Sequence, residues 1–231
     1  MDRGLYLAAS GMLTEQIRQD QIANDLANAS TAGYKAERTT QQSFGEMLLT
    51  NSVTGQQVGR VTTGVAVTNT QTDWSPGVLK DTGEPLDFAI NGDGFFAVQT
   101  DAGTRYTRNG QFSSDPQGRL TTLEGDLVLG RTGQPVTLGA DGKVDPRTLN
   151  VVTLNNPEKV GNSYVTGTPG NVAGQTVGSV RAGALEASGA DPTQTMVDMM
   201  ASYRAYESGQ KVIHTIDETL GKAASSVGSL T

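Results

Sequence analysis

The sequence predicts an α+β protein in which two long terminal helices, paired like a coiled coil, flank an inserted antiparallel β-rich domain. Three observations predict this fold. Apolar residues recur at steps of three and four near both ends of the chain. Between the ends, short apolar runs alternate with turn signals. Glycine is abundant, at 29 residues, and hydrophobic residues make up only 35% of the chain, which favours many turns and a thin core.

The overall composition excludes several classes of function. The chain has 231 residues, a net charge of -7 and a pI near 4.7, which argue against binding to nucleic acid or to an anionic membrane. The absence of cysteine excludes thiol catalysis, thiolate metal sites and disulfides. No stretch of the sequence reaches the roughly 18 consecutive apolar residues of a membrane span.

Residues 1–29 are predicted to form an N-terminal assembly helix, with its helical pattern over residues 3–28. Gln16 and Gln19 interrupt the apolar stripe, which suits contact with other helices, although an amphipathic surface helix remains an alternative. The helical pattern continues past the point where a signal peptidase would cut, so no cleaved signal peptide is expected. The residues predicted to mediate subunit assembly are Leu5, Ala9, Met12, Gln16, Ile22, Leu26 and Asn28.

Residues 30–72 are predicted to form an extended connector. The segment opens with a turn at Gly33, a residue able to take a positive φ. It is polar and has few apolar residues, so it is expected to order only against its neighbours. A strand such as Val58–Val67 is compatible with its sequence.

Residues 73–187 are predicted to form the β-rich domain. Structural turns are expected at Gly92, Gly94 and Gly110, and Asn-Gly or similar dipeptides between apolar runs predict hairpins. The domain is expected to leave one terminal helix and return to the other. The predicted strands are Leu86–Ile90, Phe95–Gln99, Thr104–Thr107, Gln111–Ser113, Arg119–Thr122 and Leu127–Leu129.

Residues 188–231 are predicted to form a C-terminal assembly helix, with its pattern running from Asp191 to Leu220. Asp191 is a suitable cap and Pro192 suits the first helical position. Gly209 interrupts the helix at a cost of about 1 kcal/mol relative to Ala. A long helix with a narrow apolar seam requires a partner helix. The predicted assembly residues here are Met196, Met199, Tyr203, Tyr206, Ile213, Ile216 and Leu220.

The sequence shows no pattern typical of a catalytic, cofactor, metal or small-molecule site. His214 is the single histidine, and its helical neighbours favour a solvated or partner-facing surface. Asp93 lies among glycines, but the spacing of a calcium loop is missing. The acidic residues Glu84, Asp87 and Glu124 are scattered, so a glycosidase pair is not indicated. No enzyme activity is expected, although a secreted carbohydrate-active or carbohydrate-binding module with helical tails remains an alternative.

Three stretches of the sequence resemble the flagellar axial proteins, specifically the basal-body rod subunits. The first is residues 22–35, which end in Thr31-Ala32-Gly33-Tyr34-Lys35. The second comprises residues 82–96 and Tyr106-Thr107-Arg108-Asn109-Gly110-Gln111-Phe112. The third begins at Gly183-Ala184-Leu185-Glu186 and includes Arg204-Ala205-Tyr206-Glu207. Residues 132–182 carry no resemblance, and Asp25 and Gly189-Ala190 depart from the family pattern.

The resemblance implies a structural subunit of the flagellar rod, which transmits torque from motor to hook. It implies that the terminal helices pack with those of neighbouring copies and of other rod or hook subunits into a tube. Export is then expected through the flagellar type III apparatus, to the basal body outside the cytoplasm. A hook or hook-junction subunit is the alternative within the family. Residues 3–12 favour the distal rod branch, while residues 94–98 are equally compatible with the proximal branch.

Overall fold

The computed structural model describes residues 2–50, 57–170 and 178–228, and it divides into two compact units. The first, here called the helical unit, contains Met1–Leu26, Glu37–Gln71 and Pro192–Thr231. The second, here called the β unit, contains Ala27–Ala36 and Thr72–Asp191. The α+β fold class predicted from the sequence is confirmed: an N-terminal and a C-terminal helix flank an antiparallel β-rich region.

The two helices form where the apolar periodicity places them. Helix α1 spans Asp2–Ala27, and helix α2 spans Pro192–Gly228 with proline at its first position. Helix α2 extends beyond the predicted end at Leu220. The extension contains Lys222, Ala223 and Ala224, which are good helix formers and need no apolar periodicity to continue the helix.

The polar segment after α1 contains two long strands where the sequence predicts an extended connector. Strands β1 (Glu37–Thr50) and β2 (Gln57–Thr72) pair in a two-stranded sheet. A two-stranded sheet is marginally stable alone. Here it contacts α1: Thr14 Oγ1 donates to the Val65 carbonyl oxygen at 3.2 Å, and Gln41 Nε2 donates to Glu15 Oε1 at 3.3 Å. Hydrogen bonds to α1 thus help to stabilise a two-stranded sheet that has few apolar residues to bury.

The β unit is built from short strands. They are β3 (Leu79–Asp81), β4 (Phe88–Asn91), β5 (Phe95–Thr100), β6 (Gly103–Thr107), β7 (Phe112–Ser114), β8 (Leu120–Thr122), β9 (Leu127–Val128), β10 (Val151–Val152), β11 (Leu154–Val160), β12 (Tyr164–Pro169), β13 (Ser179–Ala182) and β14 (Ala184–Glu186). A short 3-10 helix spans Pro146–Thr148.

The strands of the β unit pair antiparallel. The main sheet follows the order β11-β12-β6-β5-β9-β8-β7, with β10 paired to β5. Outside it, β13 pairs with β4 and β14 pairs with β3.

Strand β5 carries the core of the β unit on both of its faces. Phe96 and Val98 pack into one apolar cluster with Phe88 and Phe112, whereas Phe95 enters a second cluster. Successive side chains of a strand point to opposite faces, so the continuous apolar run of β5 places it between two packed layers. The rings of Phe96 and Phe112 meet edge to face, with centroids 5.3 Å apart.

Two of the predicted hairpins are wrong. Residues 91–94 connect β4 to β5, and residues 109–110 separate β6 from β7, but neither pair of strands is hydrogen-bonded. Strand β4 pairs instead with β13, and β7 pairs with β8. The turn dipeptides do turn the chain, but long-range pairing determines which strands become neighbours. The hairpin across Glu124–Asp126 is confirmed, since Thr121 in β8 pairs with Leu127 in β9.

The glycines singled out in the sequence occupy sites that a larger residue would not fit. Gly33 has φ 66°, and a Cβ there would lie 2.3 Å from the Arg108 carbonyl oxygen. Gly92 and Gly94 also have positive φ, at 107° and 133°. At Gly110 the constraint is space, because a Cβ would lie 1.6 Å from the Phe88 carbonyl oxygen.

A buried carboxylate joins distant parts of the β unit. The side chain of Glu186, in β14, is only 1% exposed. Its Oε1 accepts from Lys35 Nζ at 2.6 Å and from the Gly77 N–H at 2.8 Å, and its Oε2 accepts from Arg108 Nη1 at 2.9 Å. The Gly33 N–H donates to the Glu186 carbonyl oxygen at 2.9 Å. This buried ion cluster (Lys35, Arg108 and Glu186) holds together three segments that are far apart in the sequence.

Burial and the neighbouring charges shift the pKa values of both Glu186 and Lys35. Burial raises the pKa of the Glu186 carboxyl, but attraction to Lys35 and Arg108 and its hydrogen bonds outweigh burial, so the pKa lies below its ordinary value. Burial lowers the pKa of the Lys35 ammonium, and repulsion from Arg108 acts in the same direction, against the attraction of Glu186. One anion serves two cations, so the cluster favours the charged form of Glu186, whereas burial makes the charged form of Lys35 less favourable than it is in water.

The Glu186→Gln variant tests the cluster. It keeps the shape of the side chain but leaves Lys35 and Arg108 without their carboxylate, so the free energy of unfolding should fall by about 3–5 kcal/mol. Urea denaturation followed by Trp74 fluorescence measures this loss. Glu84→Gln, at an exposed carboxylate of the same unit, is the matched control and should change stability by less than about 0.5 kcal/mol. Equal effects of the two substitutions would contradict the assigned role.

The difference in stability between wild type and Glu186→Gln should also depend on pH. Because the folded pKa of Glu186 lies below its ordinary value of 4.5, the stabilisation by the carboxylate is complete above that value and is lost as the pH falls through the folded pKa. The stability difference between wild type and Glu186→Gln should therefore stay constant from about pH 7 to pH 5 and shrink below about pH 4.5. Urea titrations at each pH measure it, and a difference that grew on acidification would refute the sign.

Candidate assembly interface

Helices α1 and α2 pack against each other in an antiparallel seam within the helical unit. Ser202 Oγ donates to Glu15 Oε2 at 2.7 Å and is 3.3 Å from the Glu15 carbonyl oxygen. Further along, Gly209 lies against Met12. At the far end, a Cβ on Gly4 would lie 3.5 Å from Ile216 Cδ1. Since positions fall along α1 as they rise along α2, the helices run in opposite directions.

The seam follows the spacing of a coiled coil. Less exposed positions alternate at steps of four and three on each helix, which keeps one stripe facing the partner. On α1 they are Gly4, Ala8, Gly11, Glu15, Arg18, Ile22 and Asp25. On α2 they are Thr195, Met199, Ser202, Tyr206, Gly209, Ile213 and Ile216.

Small residues bring the two helices close together. A Cβ on Gly209 would lie 2.7 Å from Met12 Cγ, so the glycine makes room for the methionine side chain. This packing gives a physical reason for the glycine that the sequence places inside a helix at a cost of about 1 kcal/mol. Polar groups also enter the seam, where Ser202 Oγ donates to Glu15 Oε2. Elsewhere on α1, Gln19 Nε2 is buried with no hydrogen-bond partner among the described residues.

Each helix also exposes large apolar side chains outside the seam. At about 100° per residue, Leu13 and Ile17 of α1 project away from its seam positions, and Leu5 projects to one side of them. Across the described part of the chain, five exposed large hydrophobic residues lie on α1, six on α2 and two elsewhere. On α1 they are Leu5, Tyr6, Leu7, Leu13 and Ile17, and on α2 they are Met196, Val197, Met200, Tyr203, Val212 and Leu220; Val78 and Leu123 lie in the β unit.

We call the surface formed by Leu5, Leu13 and Ile17 on α1 and by Met196, Met200 and Tyr203 on α2 the outer apolar faces. Their side chains are between 41% and 61% exposed, and on each helix they lie within one half of the circumference. Charged residues near them, such as the Lys211–Glu207 pair at 3.1 Å, are exposed and add little stability. Large apolar side chains exposed repeatedly along one side of a helix make that side a candidate for protein–protein contact.

The structure divides the residues predicted for assembly into three groups. Leu5, Ala9 and Gln16 of α1 are exposed, as are Met196, Tyr203 and Leu220 of α2. The part-buried residues Met12, Leu26, Met199, Tyr206, Ile213 and Ile216, with buried Ile22, form the second group. Asn28 is buried in the β unit, where its carbonyl oxygen accepts from Ser188 Oγ at 2.9 Å. The predicted stripe thus combines seam positions with outer positions.

Sequence reasoning omitted seven exposed apolar residues of the helices from the predicted set: Tyr6, Leu7, Leu13, Ile17, Val197, Met200 and Val212. The signal was present, because each helix carries apolar residues over more than half of its circumference. A helix that is apolar on two sides is expected to have two partners. The sequence analysis assigned one apolar stripe to each helix, so it did not distinguish the seam from the outer apolar faces.

The described residues offer little basis for other kinds of site. Neither helix, over its described length, is long and apolar enough to cross a membrane. Among the residues that the structure describes, no group of three or more histidine, aspartate or glutamate side chains is placed to hold a metal ion.

Three family models match the chain in order. The model described as flagella basal body rod protein matches residues 5–35. The flagellar hook protein FlgE/F/G D1 domain matches residues 89–162, and the flagellar basal body rod FlgEFG protein C-terminal model matches residues 181–226. The first and third models cover most of α1 and α2, and the second covers much of the main sheet of the β unit.

Curated relatives match over nearly the whole chain. The flagellar basal-body rod protein FlgF of Caulobacter vibrioides is 34% identical, with 100% of both chains covered. The flagellar basal-body rod protein FlgG of Bacillus subtilis is 32% identical, over 95% of this chain and 97% of the relative. The flagellar hook-basal body complex protein FlhO of Bacillus subtilis is 30% identical, with 100% of both chains covered.

These matches confirm the resemblance to the rod proteins that was found in the sequence. They favour that family over the alternative of a carbohydrate-active module. The family models match residues in both helices and in the main sheet, and two of the relatives match over the full length of the chain. The chain therefore belongs to the flagellar basal-body rod protein family, whose members are structural subunits and not enzymes.

Proposed function

We propose that this chain polymerises through its outer apolar faces into the tubular rod that transmits torque from the flagellar motor to the hook. The observation that carries the proposal is that two helices already paired along one stripe each expose three large apolar side chains away from that stripe, on the outer apolar faces. Its partners are other copies of the chain and other rod or hook subunits. Export through the flagellar type III apparatus, without a cleaved signal peptide, is part of the proposal and is supported by the family resemblance.

The energetics favour a polymer over an isolated dimer. Fully burying one large apolar side chain contributes about 1.5–3 kcal/mol, and these side chains are already about half buried. A single contact of three or four such residues therefore yields only a few kcal/mol, which association entropy largely offsets. A subunit that uses both helices contacts several neighbours at once, and the contributions then add.

The arrangement of the faces favours an open assembly. The outer faces of α1 and α2 have different residues, so a contact between α1 of one copy and α2 of the next is heterologous. A heterologous contact that does not close into a ring generates a helical filament. Leu13 and Ile17 are aliphatic, while Met196 and Met200 are flexible side chains able to fill irregular gaps against them.

We further propose the distal rod type. Residues 3–12 support it through their resemblance to that branch. Identity alone does not separate the types, because the relatives named FlgF and FlgG are 34% and 32% identical to this chain. The hook or hook-junction position remains the competing assignment within the flagellum.

The Met200→Glu variant tests the outer faces. A charge at this exposed position should leave the monomer folded but prevent its burial against a neighbour, so polymer yield should fall at least tenfold. Circular dichroism of the monomer and sedimentation with electron microscopy of the polymer measure the two effects. Val78→Glu, at an exposed apolar residue of the β unit, is the matched control and should polymerise normally. Normal polymerisation of Met200→Glu would refute the proposed contact.

The position in the flagellum is tested by labelling. The two-residue turn Asp101-Ala102 between β5 and β6 is exposed, so an epitope inserted there should not disturb the strands. Gold labelling of purified basal bodies should mark the rod segment next to the hook. Label confined to the motor end of the rod would assign the proximal type, and label on the hook would support the competing assignment.

A further inference from the structure

The outer apolar face of α2 contains two exposed methionine residues. Met196 and Met200, here called the outer methionines, are 53% and 55% exposed. They lie four residues apart, so their side chains are neighbours on one side of the helix, beside Tyr203. The chain has six methionines and no cysteine, so the methionine thioether is the sulfur group on which mild oxidants can act. The face proposed for assembly therefore carries oxidisable groups.

The two other methionines whose side chains the structure describes, here called the seam methionines, belong to the seam between α1 and α2. Met12 is part-buried, and its Sδ lies 3.5 Å from the place that a Cβ on Gly209 would occupy. Met199 is part-buried at a seam position of α2. Because an oxidant must approach the sulfur directly, exposure determines which methionines react first. An oxidant in solution should therefore reach the outer methionines before the seam methionines.

Hydrogen peroxide supplies the oxygen in the reaction that these sulfurs can undergo. The thioether sulfur attacks one peroxide oxygen, so that an S–O bond forms and the O–O bond breaks. The proton on the transferred oxygen passes to the departing hydroxide, which leaves as water. The sulfur is thereby oxidised and the peroxide is reduced. The product, methionine sulfoxide, is polar and has an oxygen that accepts hydrogen bonds, whereas the thioether is a weak acceptor.

A sulfoxide at the outer methionines has different consequences for the monomer and for the assembly. In the monomer the new oxygen stays in water, because both side chains are exposed and lie outside the seam. In the proposed contact the same oxygen meets aliphatic side chains such as Leu13 and Ile17 of a neighbouring copy. It would then lose its water without gaining a hydrogen-bond donor, which costs free energy. Oxidation therefore weakens the contact and leaves the fold intact.

We propose that Met196 and Met200 form an oxidation site that switches off assembly through the outer apolar face of α2. Peroxide converts both side chains to sulfoxides, and the oxidised subunit stays folded but does not add to the polymer. Sulfoxide formation is reversible by enzymatic reduction, so the change is a switch and not a permanent loss. The effect on assembly rests on the proposed function, whereas selective oxidation of the two residues does not.

Peptide mass spectrometry tests the oxidation site. The full-length monomer is exposed to hydrogen peroxide for increasing times, and sulfoxide is quantified at each methionine. In the folded chain the outer methionines should oxidise several-fold faster than the seam methionines. In urea, where the helices are unfolded, the rates should become similar. Circular dichroism should show unchanged helix content after the outer methionines are oxidised. Equal rates in the folded monomer, or loss of helix, would overturn the proposal.

Polymerisation of the oxidised chain tests the switch. Oxidised wild type should give about tenfold less polymer than the untreated chain, the effect of burying a polar group without a partner. Treatment with methionine sulfoxide reductase should restore the yield. Met196→Leu/Met200→Leu keeps the face apolar without its sulfurs, so it should polymerise equally before and after peroxide. Met199→Leu, which retains both outer methionines, is the matched control and should lose yield like wild type.

The outcomes separate the switch from the proposed function. Full polymerisation of a chain that carries both sulfoxides overturns the switch, and so does equal peroxide sensitivity of Met196→Leu/Met200→Leu and wild type. Failure of the untreated chain to polymerise overturns the proposed function and the switch with it. The oxidation rates decide the site in either case, because they are measured on the monomer.

Discussion

The buried carboxylate of Glu186 is the interaction on which the β unit depends. It accepts from groups 151, 109 and 78 residues away in the sequence, at Lys35, Gly77 and Arg108. Each partner is itself buried or backbone, so none can turn to water if another is lost. A buried ion pair adds little net stability compared with apolar packing, but breaking it is costly. The cluster therefore acts mainly by excluding other arrangements of these segments.

Hydrogen bonds to the backbone near the buried ion cluster further restrict the same segments. The segment that follows α1 lies beside the segment that precedes α2: the Gly189 N–H donates to the Tyr34 carbonyl oxygen at 2.8 Å, and Ser188 Oγ donates to the Asn28 carbonyl oxygen at 2.9 Å. These two hydrogen bonds hold the residues that follow α1 against the residues that precede α2 within the β unit.

Sequence patterns predicted the elements better than their partners. Strand β5 and helix α1 were placed within one or two residues, because apolar periodicity is local. The pairing of β4 with β13 was missed, since it joins segments about ninety residues apart that no local signal connects. The ion cluster was also missed, although Lys35, Arg108 and Glu186 each lie in one of the three stretches that resemble the family. The presence of a charged residue within each of these turn or strand motifs was the signal that could have indicated the cluster.

The sequence analysis did not separate the outer apolar faces from the seam, for a different reason. Periodicity shows that a residue is apolar and which way it projects, but not which neighbour it meets. In this chain the seam uses small residues such as Gly4, Ser202 and Gly209, whose contribution to packing is close approach and not buried area. The seam also contains large residues such as Tyr206 and Ile213, while other large residues such as Leu13 and Met200 remain exposed. The net charge of -7 opposes premature association through these exposed side chains. A helix pair that retains exposed large apolar residues after pairing is suited to contacts with other subunits.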